Sequence, residues 1–80
     1  MRLDKFLKVS RIIKRRTVAN EACSQGRVRL NGKLAKAGAE VKIGDIIEVQ
    51  IGERINRYEV LGLTEHAAKA EASGLYRVIE

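Results

Sequence analysis

The chain has 80 residues, 45% hydrophobic and 32% charged, with 16 Lys and Arg against 10 Asp and Glu for a net charge of +6. That length allows one domain with a thin core, and no stretch approaches the ~20 apolar residues of a transmembrane helix. One Cys and one His exclude an internal disulfide and a structural zinc site, and two Tyr, one Phe and no Trp argue against a platform that stacks several bases.

Leu3, Phe6 and Leu7 recur at i, i+3 and i+4, which predicts a short helix over Met1 to Val9 with this trio facing the core. Arg2, Lys5 and Lys8 form a row on another side, and Arg11 and Lys14 continue it. A threefold spacing drifts around a 3.6-residue helix. A break over Ser10 to Ile13 would keep the later cations on the same side. A second helix is expected over about Arg15 to Gln25, with Val18, Ala19, Ala22 and Cys23 as its apolar stripe and Asn20, Glu21, Ser24 and Gln25 facing out. Gly26 is placed to end it in the left-handed conformation.

From there the period becomes two. Val28 and Leu30 point one way, Arg27 and Arg29 the other. Asn31-Gly32 signals a tight hairpin turn, and Lys33 to Ala35 forms the returning strand. Ala37 to Lys42 reads as a loop and Gly44-Asp45 as a turn. Ile47, Val49 and Ile51 then alternate with Ile46, Glu48 and Gln50, and Gly52-Glu53 leads into a strand at about Arg54 to Leu61. Thr64 is expected to cap a short Ala- and Glu-rich helix ended by Gly74, followed by a last strand over Leu75 to Ile79. The predicted fold is α+β: two N-terminal helices packed on a small twisted antiparallel sheet, with a short C-terminal helix and last strand. Residues 1–80 form one domain, with a core motif over about 1–51 and a sheet extension with the short helix over 52–80.

Charge distribution is the strongest functional signal. Residues 1–42 carry 12 basic and 3 acidic side chains, residues 43–80 carry 4 and 7. A basic half presents a directed positive field that suits a polyanion, whereas a surface built for solubility mixes its signs. Lys14, Arg15 and Arg16 stand at the start of the second helix, where cations oppose the helix dipole. A phosphate bound there would reverse that sign; unliganded exposed cations are the alternative. Charge repulsion and the dipole both act against Arg16 there, so it is expected to add nothing to stability. Asp4, the only acid among the first twenty residues, either favours the helix dipole or orients an arginine. Arg27, Arg29, Lys33 and Lys36 would continue the basic surface into the sheet, although Lys36 is equally an ordinary solubilising lysine. Glu65 and Glu71 are expected outside the basic half. His66 reads as a surface residue of the Ala-rich helix and Cys23 as a buried inert thiol. No catalytic residue, metal ligand or cofactor site is expected, and a chain without signal peptide or disulfide fits a reduced, cytoplasmic setting.

Arg2-Leu3-Asp4 with Leu7, Lys14-Arg15-Arg16 with Ala19, Gln25-Gly26-Arg27-Val28, Leu30-Asn31-Gly32 and Val41-Lys42-Ile43-Gly44-Asp45 occur in order over about residues 1–51. This pattern resembles the RNA-binding domain first described in bacterial ribosomal small-subunit protein four. The resemblance implies two helices on a highly twisted sheet, with both helices and the following hairpin forming the RNA surface. Arg2, Asp4, Lys5, Lys8 and Arg16 would belong to that surface by matching position. One departure is Arg15, where many members have Ser or Thr before the arginine, so a side-chain helix cap is lost.

In stand-alone form the chain is similar to the RqcP family and to the ribosome-associated heat-shock proteins of about fifteen kilodaltons. The lack of a long basic C-terminal extension favours the former. That resemblance implies a ribosome-associated, non-enzymatic quality-control factor on obstructed large subunits. Its partners would be large-subunit rRNA, P-site peptidyl-tRNA and RqcH during C-terminal alanine tailing, and the protein would be a monomer off the ribosome with no membrane partner. A general rRNA-binding or ribosome-assembly factor without tRNA contact is the alternative. A DNA-binding helix-turn-helix fits less well, because the middle of the second helix holds small apolar residues where base-reading polar ones are needed.

Overall fold

The computed structural model describes residues 1–79. Two helices, α1 (Leu3–Val9) and α2 (Arg16–Ser24), precede strands β1 (Val28–Leu30), β2 (Lys33–Leu34), β3 (Ile46–Ile51) and β4 (Arg54–Val60). A four-residue helix α3 (Lys69–Ala72), a 3-10 turn (Ser73–Leu75) and β5 (Tyr76–Ile79) complete the chain. The sheet is antiparallel in the order β2-β1-β3-β4-β5. This is the α+β arrangement expected from the sequence. No helix among the described residues is long and apolar enough to cross a membrane.

Helix α1 buries Leu3, Phe6 and Leu7 completely, and α2 packs beside it through Ala19, Ala22 and Cys23. These three small residues make a narrow contact strip, so Val18, expected within the stripe, lies 43% exposed at its edge. The sheet contributes Val28, Ile47, Val49 and Val60 to the same core. Cross-strand partners share a face, so the other face carries Arg29, Glu48 and Arg57 in one row and Gln50 with Ile55 in the next. That second face is turned away from the helices.

Turn chemistry follows the sequence closely. Asn31 (φ 53°) and Gly32 (φ 83°) both have positive φ in the two-residue loop between β1 and β2. Asn31 does more than turn the chain: its Oδ1 accepts the Ile46 amide and its Nδ2 donates to Asp45, which ties the hairpin to β3. Gly26 ends α2 at φ 72° as expected.

Two further expectations need correction. Ile51 follows the alternation of Ile47 and Val49 yet is 53% exposed, because the tip of the β3–β4 hairpin outruns the helices that cover the rest of that face. The helix expected after Thr64 shrinks to α3 and its 3-10 turn. Thr64 caps nothing; its Oγ1 donates to the His66 carbonyl, a local bond that competes with helical pairing. His66 therefore sits in a loop, and Gly74 lies inside the 3-10 turn.

Candidate nucleic-acid interface

Asp4 organises the helical part of the basic surface. Its carboxylate is buried at 2% exposure, while the side chains of Arg2 and Arg16 are about half exposed. Arg2 donates from both Nε (3.1 Å) and Nη2 (3.3 Å), a forked grip on the two carboxylate oxygens. Arg16 approaches from α2 through Nε (3.4 Å) and Nη2 (3.5 Å), and Asn20 Nδ2 donates at 3.4 Å. One buried acid thus aims two guanidinium groups outward from different helices. Of the two roles left open for Asp4, orientation is present, and its Oδ1 also accepts the Lys5 amide within the first turn of α1.

Burial alone would raise the Asp4 pKa. Hydrogen bonds from Arg2, Asn20 and Arg16, with the charge of Arg16, outweigh it and hold the carboxyl below its ordinary range. A lowered folded-state pKa gives stability that is fully present above the unfolded value of about 3.9 and is lost as pH falls through the folded value. Asp4→Asn is therefore expected to cost about 1–3 kcal/mol at neutral pH, discounted toward the lower end because both arginines are solvated. The gap from wild type should narrow below about pH 4. Thermal melts by circular dichroism at neutral and acid pH check this, and a gap that widens in acid would contradict it.

Arg16 also departs from the sequence reading. An exposed cation at a helix start was expected to be dispensable to the fold, but its contact with buried Asp4 gives it a modest structural share. Asn20 was read simply as outward-facing. Its spacing of four from Arg16 is the signal that both share a helical face.

The remaining basic residues fall into separate groups. Lys8, Arg11 and Lys14 line one cleft beyond the C-terminus of α1. Arg11 has φ 62°, a left-handed conformation that glycine adopts freely and that an L side chain adopts at a cost. Lys5 is half-buried and pairs with Glu65. That contact corrects the placement of Glu65, which the sequence put outside the basic half. Lys5 holds its carboxyl below the usual range through a hydrogen bond and its charge. Reversing the charge of Glu65 would set two cations side by side and would not be silent. Arg15 is exposed, with extended backbone ahead of α2 and no side-chain cap there.

Arg27 and Arg29 emerge on the open face of the sheet with Glu48, Gln50 and Ile55, opposite the face that the helices cover. They do not extend the helical set side by side, as a continuous strip would require. Among the described residues, Arg27 Nε is buried with no hydrogen-bond partner. Arg57 on the same face is satisfied by Glu48 at 3.0 Å, which leaves Arg29 without an ion pair among the described residues. Lys33 and Lys36 are exposed beside Leu34 and Gly38 at the β2 edge. Cys23 is buried, and burial followed by the nearby Asp4 charge pushes its thiol pKa up, away from a reactive thiolate.

Residues 1–47, which supply the Asp4 cluster, all three cleft cations and the hairpin, match the family described as S4 domain. The chain belongs to the S4-domain family. Over 98% of its length it is 54% identical to the RQC P-site tRNA stabilizing factor of Halalkalibacterium halodurans, covering 89% of that protein. Over its whole length it is 48% identical to the factor of the same name from Bacillus subtilis, covering 93% of it. A solved structure of Vibrio cholerae heat shock protein 15, described as trimeric, superposes with a TM-score of 0.90 at 31% identity, over 99% of this chain and 81% of that one. The sequence pattern at Arg2-Leu3-Asp4 and Asn31-Gly32 pointed to this family, and the S4-domain chain has the fold it implied. Glu65 and His66 lie beyond the residues that match the S4 domain.

Proposed function

We propose that this S4-domain chain is a non-enzymatic ribosome quality-control factor. It holds P-site peptidyl-tRNA against large-subunit rRNA on obstructed large subunits, and so supports RqcH-dependent C-terminal alanine tailing of stalled chains. It works at the ribosome, in the cytoplasm, and folds as one domain. The observation that supports this reading best is the near full-length similarity to proteins named RQC P-site tRNA stabilizing factor. The geometry agrees with an RNA partner. Arg2 and Arg16 present guanidinium groups held at one edge by Asp4, with the rest of each fork exposed. A planar fork fixed on one side is prepared for phosphate on the other at little further cost in side-chain entropy.

In this reading Arg2, Asp4, Lys5, Lys8, Arg11, Lys14, Arg15 and Arg16 form the principal RNA surface. Arg27, Arg29, Lys33 and Lys36 serve a second stretch of backbone reached around the sheet.

The test is co-sedimentation with purified large subunits, either empty or carrying peptidyl-tRNA. Arg16→Ala should weaken binding by ~1.5–3 kcal/mol, the scale of a hydrogen bond to a charged group. Its stability should fall by no more than about 1 kcal/mol, since the lost pair with Asp4 is half solvated. Arg16→Lys should recover only part of the affinity, because an ammonium lacks the planar fork. Tighter binding to subunits carrying peptidyl-tRNA is expected. Equal binding to empty subunits would favour a general rRNA-binding factor, and full binding by Arg16→Ala would remove Arg16 from the site.

A further inference from the structure

A cleft of about 150 Å³ opens where the C-terminal part of the chain crosses the end of α1. Its walls come from two distant stretches of sequence: Lys8, Arg11 and Lys14 on one side, Glu65 and His66 on the other. None of the three cations has an ion-pair partner among the described residues, since the Glu65 carboxylate is bonded to Lys5 instead. Arg11 stands there with φ 62°, a left-handed conformation. Such a conformation is unfavourable for an L-residue, and the glycine that would relieve it would also remove the charge. His66 is exposed, and the Thr64 Oγ1 bond to its carbonyl fixes the local backbone. Its imidazole makes no hydrogen bond among the described residues.

We infer that this cleft seats one backbone phosphate of the bound RNA, and that His66 donates an imidazole N–H to it beside Lys8, Arg11 and Lys14. The inference rests on the RNA-binding reading above. It adds a contact residue from outside the segment that matches the S4 domain. The volume is that of about five waters at ~30 Å³ each, enough for a phosphate group and part of its hydration. Three converging cations repel one another, and an anion among them turns that repulsion into charge-assisted hydrogen bonds. His66 faces Glu65 on its own loop and the three cations across the cleft, while Lys5 engages Glu65 from α1.

His66 is the only histidine in the chain, so its imidazole protons can be identified in a one-dimensional proton spectrum of the whole protein. Titration with a synthetic RNA hairpin should move that resonance. Hairpin affinity of His66→Ala should fall about 3- to 10-fold. His66→Lys, which keeps a donor at that position, should bind at least as well as wild type. Because His66 is exposed in a loop, both variants should melt like wild type, which separates contact from folding. A resonance that stays still, or equal affinities of wild type and His66→Ala, overturns the assignment. Inorganic phosphate that shifts the resonance without competing with the hairpin would give the seat to a free anion and overturn the RNA contact. Arg16→Ala distinguishes the two levels. If it weakens the hairpin while His66→Ala does not, RNA binding stands and the cleft assignment falls; if wild type binds no hairpin, both fall.

Discussion

Raising salt from about 50 to about 200 mM should weaken RNA binding about 300- to 2,000-fold. The figure comes from about six phosphate contacts, each releasing ~0.7–0.9 of a counterion, which gives a slope of log K against log salt of about −4.2 to −5.4. Six is a modest number for this surface. Arg2, Arg16 and the three cleft cations supply five, and Arg29 on the open sheet face supplies the sixth. Fluorescence titration of a labelled hairpin at four or five salt concentrations measures the slope. Removing Arg16 should reduce its magnitude by about one unit or slightly less. A flat response would mean that the basic residues are solvated charges and that binding rests on shape alone.

Phe6→Ala should destabilise the fold by ~3–5 kcal/mol, the usual cost of truncating a buried aromatic side chain. Phe6 is fully buried and is among the largest enclosed side chains of the core. For a domain of this length total stability is only about 4–12 kcal/mol, so the loss should lower the melting temperature by roughly 15–30 °C. Phe6→Leu keeps most of the volume and should cost much less. Ribosome binding should fall in proportion to the unfolded fraction, because Arg2 stands at the N-cap and Asp4 in the first turn of the same helix. Calorimetry and co-sedimentation on both variants would show it. A Phe6→Ala protein that melts like wild type would mean α1 is anchored by something other than its apolar face.

Much of the fold could be read in the sequence because it depends on short-range rules. The trio Leu3, Phe6 and Leu7 sets its helix by spacing, and Asn31-Gly32 and Gly26 occupy the positive-φ positions their chemistry suits. The region from Thr64 to Ala68 could not be read this way. Its Ala and Glu content suggests helix, but propensity is weak over so few residues. A side chain sixty positions away, Lys5, holds Glu65 against α1 instead. The candidate site divides along the same line. Its cations were visible as a charge asymmetry, and their separation into an Asp4-centred pair, a cleft and an open sheet face needed the tertiary packing. Strand alternation placed Arg27 and Arg29 opposite Val28, but only the packed helices show that this side is left uncovered.

The first amides of α1 have unusual acceptors. Leu3 N–H bonds to the Ala39 carbonyl at 2.8 Å and Asp4 N–H to the Ala37 carbonyl at 3.1 Å, so a loop more than thirty residues downstream closes the start of the helix. A polypeptide is synthesised from its N-terminus, which means Arg2 and Asp4 are made before the segment that fixes the start of their helix. Until the Ala37–Val41 loop has emerged and docked, α1 lacks acceptors for its leading amides, and seven residues are too few to hold a helix alone. The assembly of this corner is therefore a long-range closure whose rate is limited by chain entropy. Arg2 and Asp4, proposed to grip RNA, are thus held in place by backbone contacts that a segment more than thirty residues away supplies.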